Sequence, residues 1–150
     1  GESEMNCAVV EATEDEVRSG VIGSSLREFN YGVIGEYPKE RPIRLNAKNT
    51  DGELLGGLRA IVSIHWLIVE VLWVAEGSRG HGVGRALLRE CESRAMALGA
   101  HSAWLQTFDW QAPAFYARQG YVECARMRYY VQGHDLITLE KRGLCERRSA

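Results

Sequence analysis

The residue pattern predicts a mixed α/β fold, with a central, mostly antiparallel twisted sheet that carries one parallel strand pair and is flanked by helices. Two observations point this way. An Asp51-Gly52 turn between apolar runs, followed by a third, almost continuously apolar run from Trp66 to Val74, predicts an antiparallel meander. After that run comes a stretch of helical periodicity and then a returning strand at 102–108, and a crossover of that length favours parallel pairing. With 150 residues and 45% hydrophobic content the chain can bury a core of its own, so one domain over 1–150 is expected.

In chain order, residues 6–11 read as a first strand. Thr13 with Glu16 three positions on is a capping box, so a helix should start there and run toward Phe29. Val17, Val21, Ile22, Leu26 and Phe29 fall near one face of it, with Gly20 and Gly23 as weak points. Asn30 to Pro42 make an irregular, aromatic-rich connection, which suits either the wall of a cleft or an ordinary surface loop. Strands at 43–48 and 53–64 flank the Asp-Gly turn. Gly56 and Gly57 interrupt the second, the mark of a bulge or of another backbone passing close by.

The third strand reads as buried on both faces, yet it contains Glu70. Burial disfavours the charged form of a carboxylate, which suits a general base working near pH 7. The competing reading pairs Glu70 with Arg59 on the neighbouring strand and gives it no chemistry. Beyond the glycines at 80–84, Val83, Leu87, Leu88, Cys91, Ala95 and Leu98 recur at helical spacing, and Gly99 closes that helix. A short helix with Pro113 in its first turn stops at Gly120 and places Tyr116 at its middle, as a packed aromatic or as a phenol with a task. Strands at 121–131 and 134–141 close the fold around a turn at 132–134, and the polar tail from Arg142 is expected to fray.

Composition narrows the partners. A net charge of −2 and a pI near 6.1 supply no basic field for nucleic acid or acidic membranes. No run of 18 apolar residues exists and the first residues are acidic rather than signal-like, so a cytoplasmic protein is expected. Cys7, Cys91, Cys124 and Cys145 form no C-x-x-C pair and the histidines no H-E-x-x-H, so no metal site is expected.

The glycine-rich turn between strand and helix is the chemical signal. Backbone N–H groups at a helix start point one way and carry partial positive charge, so a phosphate or diphosphate is the expected visitor. Gly80, Gly82 and Gly84 alternate, and Gly84 is followed by Arg85-Ala86 where a Walker loop needs Lys and then Ser or Thr. Arg85 also stands where a dinucleotide fingerprint needs glycine.

The run Arg79-Gly80-His81-Gly82-Val83-Gly84 resembles the Arg/Gln-x-x-Gly-x-Gly/Ala signature of the GNAT superfamily of acyl-CoA-dependent N-acyltransferases. Phe115-Tyr116 with Gly120-Tyr121 is similar to that family's fourth-helix motif, and the element order resembles the GNAT fold over essentially the whole chain. The resemblance implies acetyl transfer from acetyl-CoA to a primary amine of a small acceptor, with a non-catalytic acyl-CoA-binding or sensing module as the alternative. It implies a pantetheine arm inserted between the strands ending at Val74 and Phe108, with Leu72, Trp73 and Val74 as backbone partners. The diphosphate would rest on Arg79, Gly80, His81, Gly82, Val83, Gly84 and Arg85. Glu70, nine residues before Arg79, matches the general base of the family's histone-acetylating branch, and Tyr116 matches the acid that protonates the departing thiolate. An acceptor pocket is expected from Phe29, Tyr31, Tyr37, Trp66, Trp104 and Phe108, where aromatics beside a carboxylate suit a cationic amine. Homodimers are frequent in the family. One departure stands out: Asp109 replaces the asparagine often found seven residues before the motif tyrosine.

Overall fold

The computed structural model describes residues 5–144, which divide into two compact units, one up to Tyr37 and one from Pro38 onward. Cys145 and most of the polar tail lie outside the described residues.

In the first unit, helices α1 (Glu14–Ser19) and α2 (Val21–Ile34) follow residues that take no regular structure. The capping box forms as expected: the Glu16 N–H donates to Thr13 Oγ1 at 3.2 Å and the Thr13 N–H to Glu16 Oε1 at 2.9 Å. The single helix expected to Phe29 is two helices, because Gly20 adopts a left-handed conformation (φ 68°) that ends one and starts the next. The strand expected at 6–11 does not form, since a strand exists only through a ladder and the sheet pairs nothing with these residues. α2 runs on to Ile34, and the connection folds back on it. Tyr31 Oη donates to the Tyr37 carbonyl at 2.9 Å, and the two rings meet edge to face at 4.9 Å. The predicted apolar stripe of Val17, Val21, Ile22, Leu26 and Phe29 is exposed.

The second unit is a six-stranded sheet in the order β1-β2-β3-β4-β6-β5. Strands β1 (Arg41–Lys48), β2 (Leu54–Ser63) and β3 (Trp66–Val74) form the antiparallel meander. The β1–β2 turn is held by Asn49 Oδ1, which accepts from the Asp51 and Glu53 N–H groups. A short 3-10 turn, Glu76–Ser78, leads to helix α3 (Val83–Ala97) and then β4 (Ser102–Phe108), which pairs with β3 in parallel. After helix α4 (Pro113–Arg118), β5 (Val122–Val131) and β6 (His134–Arg142) form a hairpin whose β6 arm pairs with β4.

The core lies between α3 and the sheet. Leu87, Leu88, Cys91 and Ala95 of α3 pack with Leu58, Val62, Leu67 and Leu105 of the strands. Leu88 is 1% exposed, so its truncation to alanine would cost about 2–5 kcal/mol in lost transfer energy and residual cavity. A polar cluster crosses this core at one point. Glu92 of α3 accepts from Tyr121 Oη at 2.7 Å and from Lys141 Nζ at 2.9 Å, which ties α3 to β6 and to the chain leaving α4. Gly56 is needed for a close approach, since a Cβ there would stand 2.7 Å from the Trp73 carbonyl oxygen.

Candidate active site

β3 and β4 pair only from Trp66↔Ser102 to Val69↔Leu105. Beyond that register β4 continues on β6 through Phe108, while β3 continues on β2 through Val74, so the two strands part. The opening is a cleft of about 860 Å³ lined by Val69 to Val74 on one side and Gln106 and Thr107 on the other. Among the described residues one edge of β3 is therefore left without a ladder partner over its last residues, and its backbone groups are available to a ligand.

The glycine loop closes one end of the cleft. Gly82 is the N-cap of α3 in a left-handed conformation (φ 82°, ψ 7°), and no side chain caps the helix. The N–H groups of the first helical turn are thus free of intrahelical and capping partners. Gly80 is also left-handed, which accounts for the alternation; Gly84 instead sits so close to α4 that a Cβ would lie 3.3 Å from the Phe115 ring. Arg79 reaches back to donate its Nε–H to the Val74 carbonyl at 3.2 Å, fastening the loop to the end of β3. Arg79, Arg85 and Arg118 line this cleft, so helix dipole and side-chain charge act with the same sign.

Glu70 lines the cleft as well, for a reason other than the one the sequence suggested. It is exposed, and it is the residue passed over in the β2–β3 register, where Arg59 faces Val71 and Ala60 faces Val69. A bulge, not two-sided burial, re-aims its side chain. Two-sided burial does not hold even where β4 pairs with the strand: Leu67 and Val69 are buried on one face, while Trp66 and Ile68 on the other are half-buried. The alternative pairing with Arg59 does not form either: that guanidinium donates to the Leu45 and Leu58 carbonyls.

Tyr116 lines the cleft from α4 and is 8% exposed. Burial pushes its phenol above the ordinary value, so it is protonated throughout the neutral range. Among the described residues its hydroxyl has no hydrogen-bond partner, while its ring packs on Phe115 and Tyr121.

The cleft thus brings together Glu70, Leu72, Trp73, Val74, Arg79, Gly80, Gly82, Val83, Gly84, Arg85 and Tyr116. His81 is not part of its lining. Trp66 and Trp104 do not line it either, contrary to the expected pocket. Both sit where β3 and β4 are still paired, and Trp66 packs under the Arg142 guanidinium (5.2 Å) and against His101. Phe108 stands behind the lining, stacked on Trp110. Phe29, Tyr31 and Tyr37 belong to the first unit, where Tyr31 and Tyr37 bond each other and Phe29 is exposed. Sequence reasoning missed Gln106, Thr107, Trp110, Gln111 and Arg118. Their signal was position: each lies at the splayed end of β4 or on the segment after it.

Comparison with known proteins agrees with this architecture. The family described as "Acetyltransferase (GNAT) family" matches residues 7–121. The chain belongs to the GNAT acetyltransferase family. Its sheet, five antiparallel or parallel neighbour pairs with β3–β4 the parallel one, is the GNAT fold. A crystal structure of an acetyltransferase from Bacillus cereus ATCC 14579 superposes with a TM-score of 0.81 at 28% identity, covering 91% of this chain and 97% of the other. Among curated relatives, the blasticidin-S acetyltransferase of Streptomyces morookaense is 43% identical over 83 residues, 55% of this chain and 61% of that protein. The streptothricin acetyltransferase of Streptomyces lavendulae is 36% identical over 92 residues, 58% of this chain and 48% of that protein. The chain therefore spans about half to three fifths of the length of these two relatives. No described helix is long and apolar enough to cross a membrane.

Proposed function

We propose that this GNAT protein transfers an acetyl group from acetyl-CoA to the primary amine of a small cationic acceptor, by direct attack within the β3–β4 cleft, and that residues 1–150 act as one GNAT domain. The observation that carries the reading is the parting of β3 and β4 beside an uncapped, arginine-flanked helix start. An extended amide-bearing arm suits the unpaired edge of β3, and a diphosphate suits the N–H groups from Val83 onward. Arg79, Gly80, Gly82, Val83, Gly84 and Arg85 would hold the phosphates, and Leu72, Trp73 and Val74 the arm. When bound, acetyl-CoA supplies an acetyl group activated as a thioester.

The chain's own residues then have two proton tasks. An ammonium cannot attack until its lone pair is free, and Glu70, exposed in the cleft, accepts that proton directly or through water. As the new amide bond forms and the carbon–sulfur bond breaks, the Tyr116 phenol donates its proton to the departing sulfur. A phenol kept neutral by burial is suited to that step. An N–H on the free edge of β3 near Leu72 polarises the carbonyl, a contribution of about 3 kcal/mol for a well-aimed donor. The names of the two Streptomyces relatives support basic antibiotics such as blasticidin S and streptothricin as first acceptors to try.

The test is thiol release from acetyl-CoA across those antibiotics, a polyamine, amino acids and a lysine peptide, beside calorimetry with acetyl-CoA. Turnover with at least one amine is expected. Tyr116→Phe should lower kcat on the order of a hundred-fold with acetyl-CoA affinity kept, and Glu70→Gln should move the rate optimum to higher pH. Binding of acetyl-CoA without thiol release on any amine would instead make the protein an acyl-CoA sensor.

A further inference from the structure

The segment leaving β4 and the tip of the β5–β6 hairpin build a second feature that no part of the mechanism above uses. Phe108 and Trp110 stack face to face, with ring centroids 4.3 Å apart and planes within 10°. His134 meets the Trp110 ring edge-on at 4.8 Å and 74°, and Tyr130 leans on Phe108 at 5.6 Å. Stacking on Phe108 occupies one face of the indole; Trp110 nevertheless remains 52% exposed and lines the cleft.

Two carboxylates hold this cluster together. One oxygen of Asp109 accepts from His134 Nδ1 at 2.8 Å and the other from the Asp135 N–H at 2.9 Å. Because an ionised carboxylate can only accept, the His134 proton on this bond sits on Nδ1. The backbone N–H and the imidazole together keep the Asp109 carboxyl below its ordinary range. Asp135 in turn accepts from Arg126 at 2.9 Å and from the Tyr129 N–H at 3.1 Å. Between Met127↔Leu136 and Val131↔His134, four steps along β5 are set against two along β6, so two extra residues are spent at the tip. Tyr129 takes a left-handed φ of 55° there, a conformation that side-chain-bearing residues avoid. Tyr130, which lies against Phe108, is within this irregular stretch.

Charge points to the kind of ligand. The lining carries Arg79, Arg85 and Arg118, while Glu70 is its single carboxylate among the described residues. The arginines suit phosphates; Glu70 and the indole surface suit a cation.

We propose that the exposed surface of Trp110, braced by Phe108, Tyr130 and the Asp109–His134 pair, is the acceptor platform of the cleft and selects amines whose cationic nitrogen is carried on a planar aromatic or heteroaromatic body. The ring of the acceptor packs on that exposed indole surface, and its ammonium is offered to Glu70. The assignment rests on the acetyl-transfer reading, but its test does not require turnover.

Calorimetry on the full chain saturated with CoA compares tryptamine with hexylamine, which has the ammonium and no ring. Wild type should bind tryptamine about tenfold more tightly than hexylamine. Trp110→Ala should erase that difference and leave CoA affinity within twofold, whereas Trp110→Phe should keep most of it. Since Trp110 is half exposed, its replacement spares the core. Equal affinity for the two amines in wild type, no measurable binding of either, or a Trp110→Ala loss that falls on CoA instead would overturn the platform. Tryptamine bound as described but never acetylated would leave the platform standing and refute acetyl transfer to this acceptor class.

Discussion

Replacing Gly82 by alanine isolates what the glycine loop contributes. The residue is the N-cap of α3 at φ 82°, and a Cβ built on it meets no heavy atom within 4 Å. Steric clash is thereby excluded, and the cost is the backbone strain of an L-residue in the left-handed region, about 1–2 kcal/mol. Two outcomes share that cost. If the loop keeps its shape, stability drops by that amount, roughly 2–8 °C in Tm for a chain of this size. If the loop relaxes instead, the free N–H groups of α3 turn away and CoA binding weakens by roughly 5- to 30-fold. Gly77→Ala is the matched control: it lies in the adjacent 3-10 turn, also with nothing within 4 Å, and its φ is not left-handed. It should leave both readings unchanged. Gly82→Asn should recover part of the loss, because asparagine tolerates the left-handed region better. Thermal unfolding and calorimetry with CoA measure the two terms. A Gly82→Ala protein that matches Gly77→Ala in both would refute the idea that the positive φ shapes the phosphate cradle.

Other expectations follow from buried groups. Lys141→Met leaves the Glu92 carboxylate, 8% exposed, with only the Tyr121 hydroxyl. Loss of about 3 kcal/mol is expected by denaturant unfolding, at the low end for a buried pair because Lys141 is partly exposed, and adding Glu92→Gln should restore some of it. An unchanged midpoint would show that the pair contributes nothing. The Cys91 thiol is pushed up to about 12, first by burial and then by the neighbouring Glu92 charge. Mass spectrometry after maleimide at pH 8 should therefore find adducts on exposed Cys7 and Cys124 and none on Cys91. An adduct on Cys91 in the folded protein would contradict the packing of α3.

Much of the fold was legible because its signals are local. A capping box, an Asp-Gly turn, a Pro in the first turn of α4 and the strand at 102–108 each depend on residues a few positions apart and each formed, though α4 starts at Pro113 rather than near Gln111. What failed depended on partners. Residues 6–11 have strand composition, but no strand pairs with them. Trp66 and Trp104 have the chemistry of an acceptor wall, yet they lie where β3 and β4 are still zipped. The expected burial of Glu70 was read from the continuous apolar run around it, and the bulge that leaves it exposed lies in the pairing of β3 with β2. Trp110, in the cleft lining, was passed over because a lone tryptophan after a strand has no periodicity to mark it.

By itself the sequence determined the alternation of glycines and the Arg79–Arg85 frame, because a left-handed backbone and a free helix start are properties of the residues that form them. The same is true of the order of strands and helices from β1 onward, which follows from apolar periodicity and turn chemistry. Only the tertiary structure decided which side chains share the cleft. The β3–β4 ladder ends at Val69↔Leu105, directly before a bulge at Glu70 that no local pattern announces, while β3 stays on β2 and β4 stays on β6. Ladder pairing is non-local, so the opening that makes a cleft of this sheet, and the residues turned into it, emerge only when all the strands are in register.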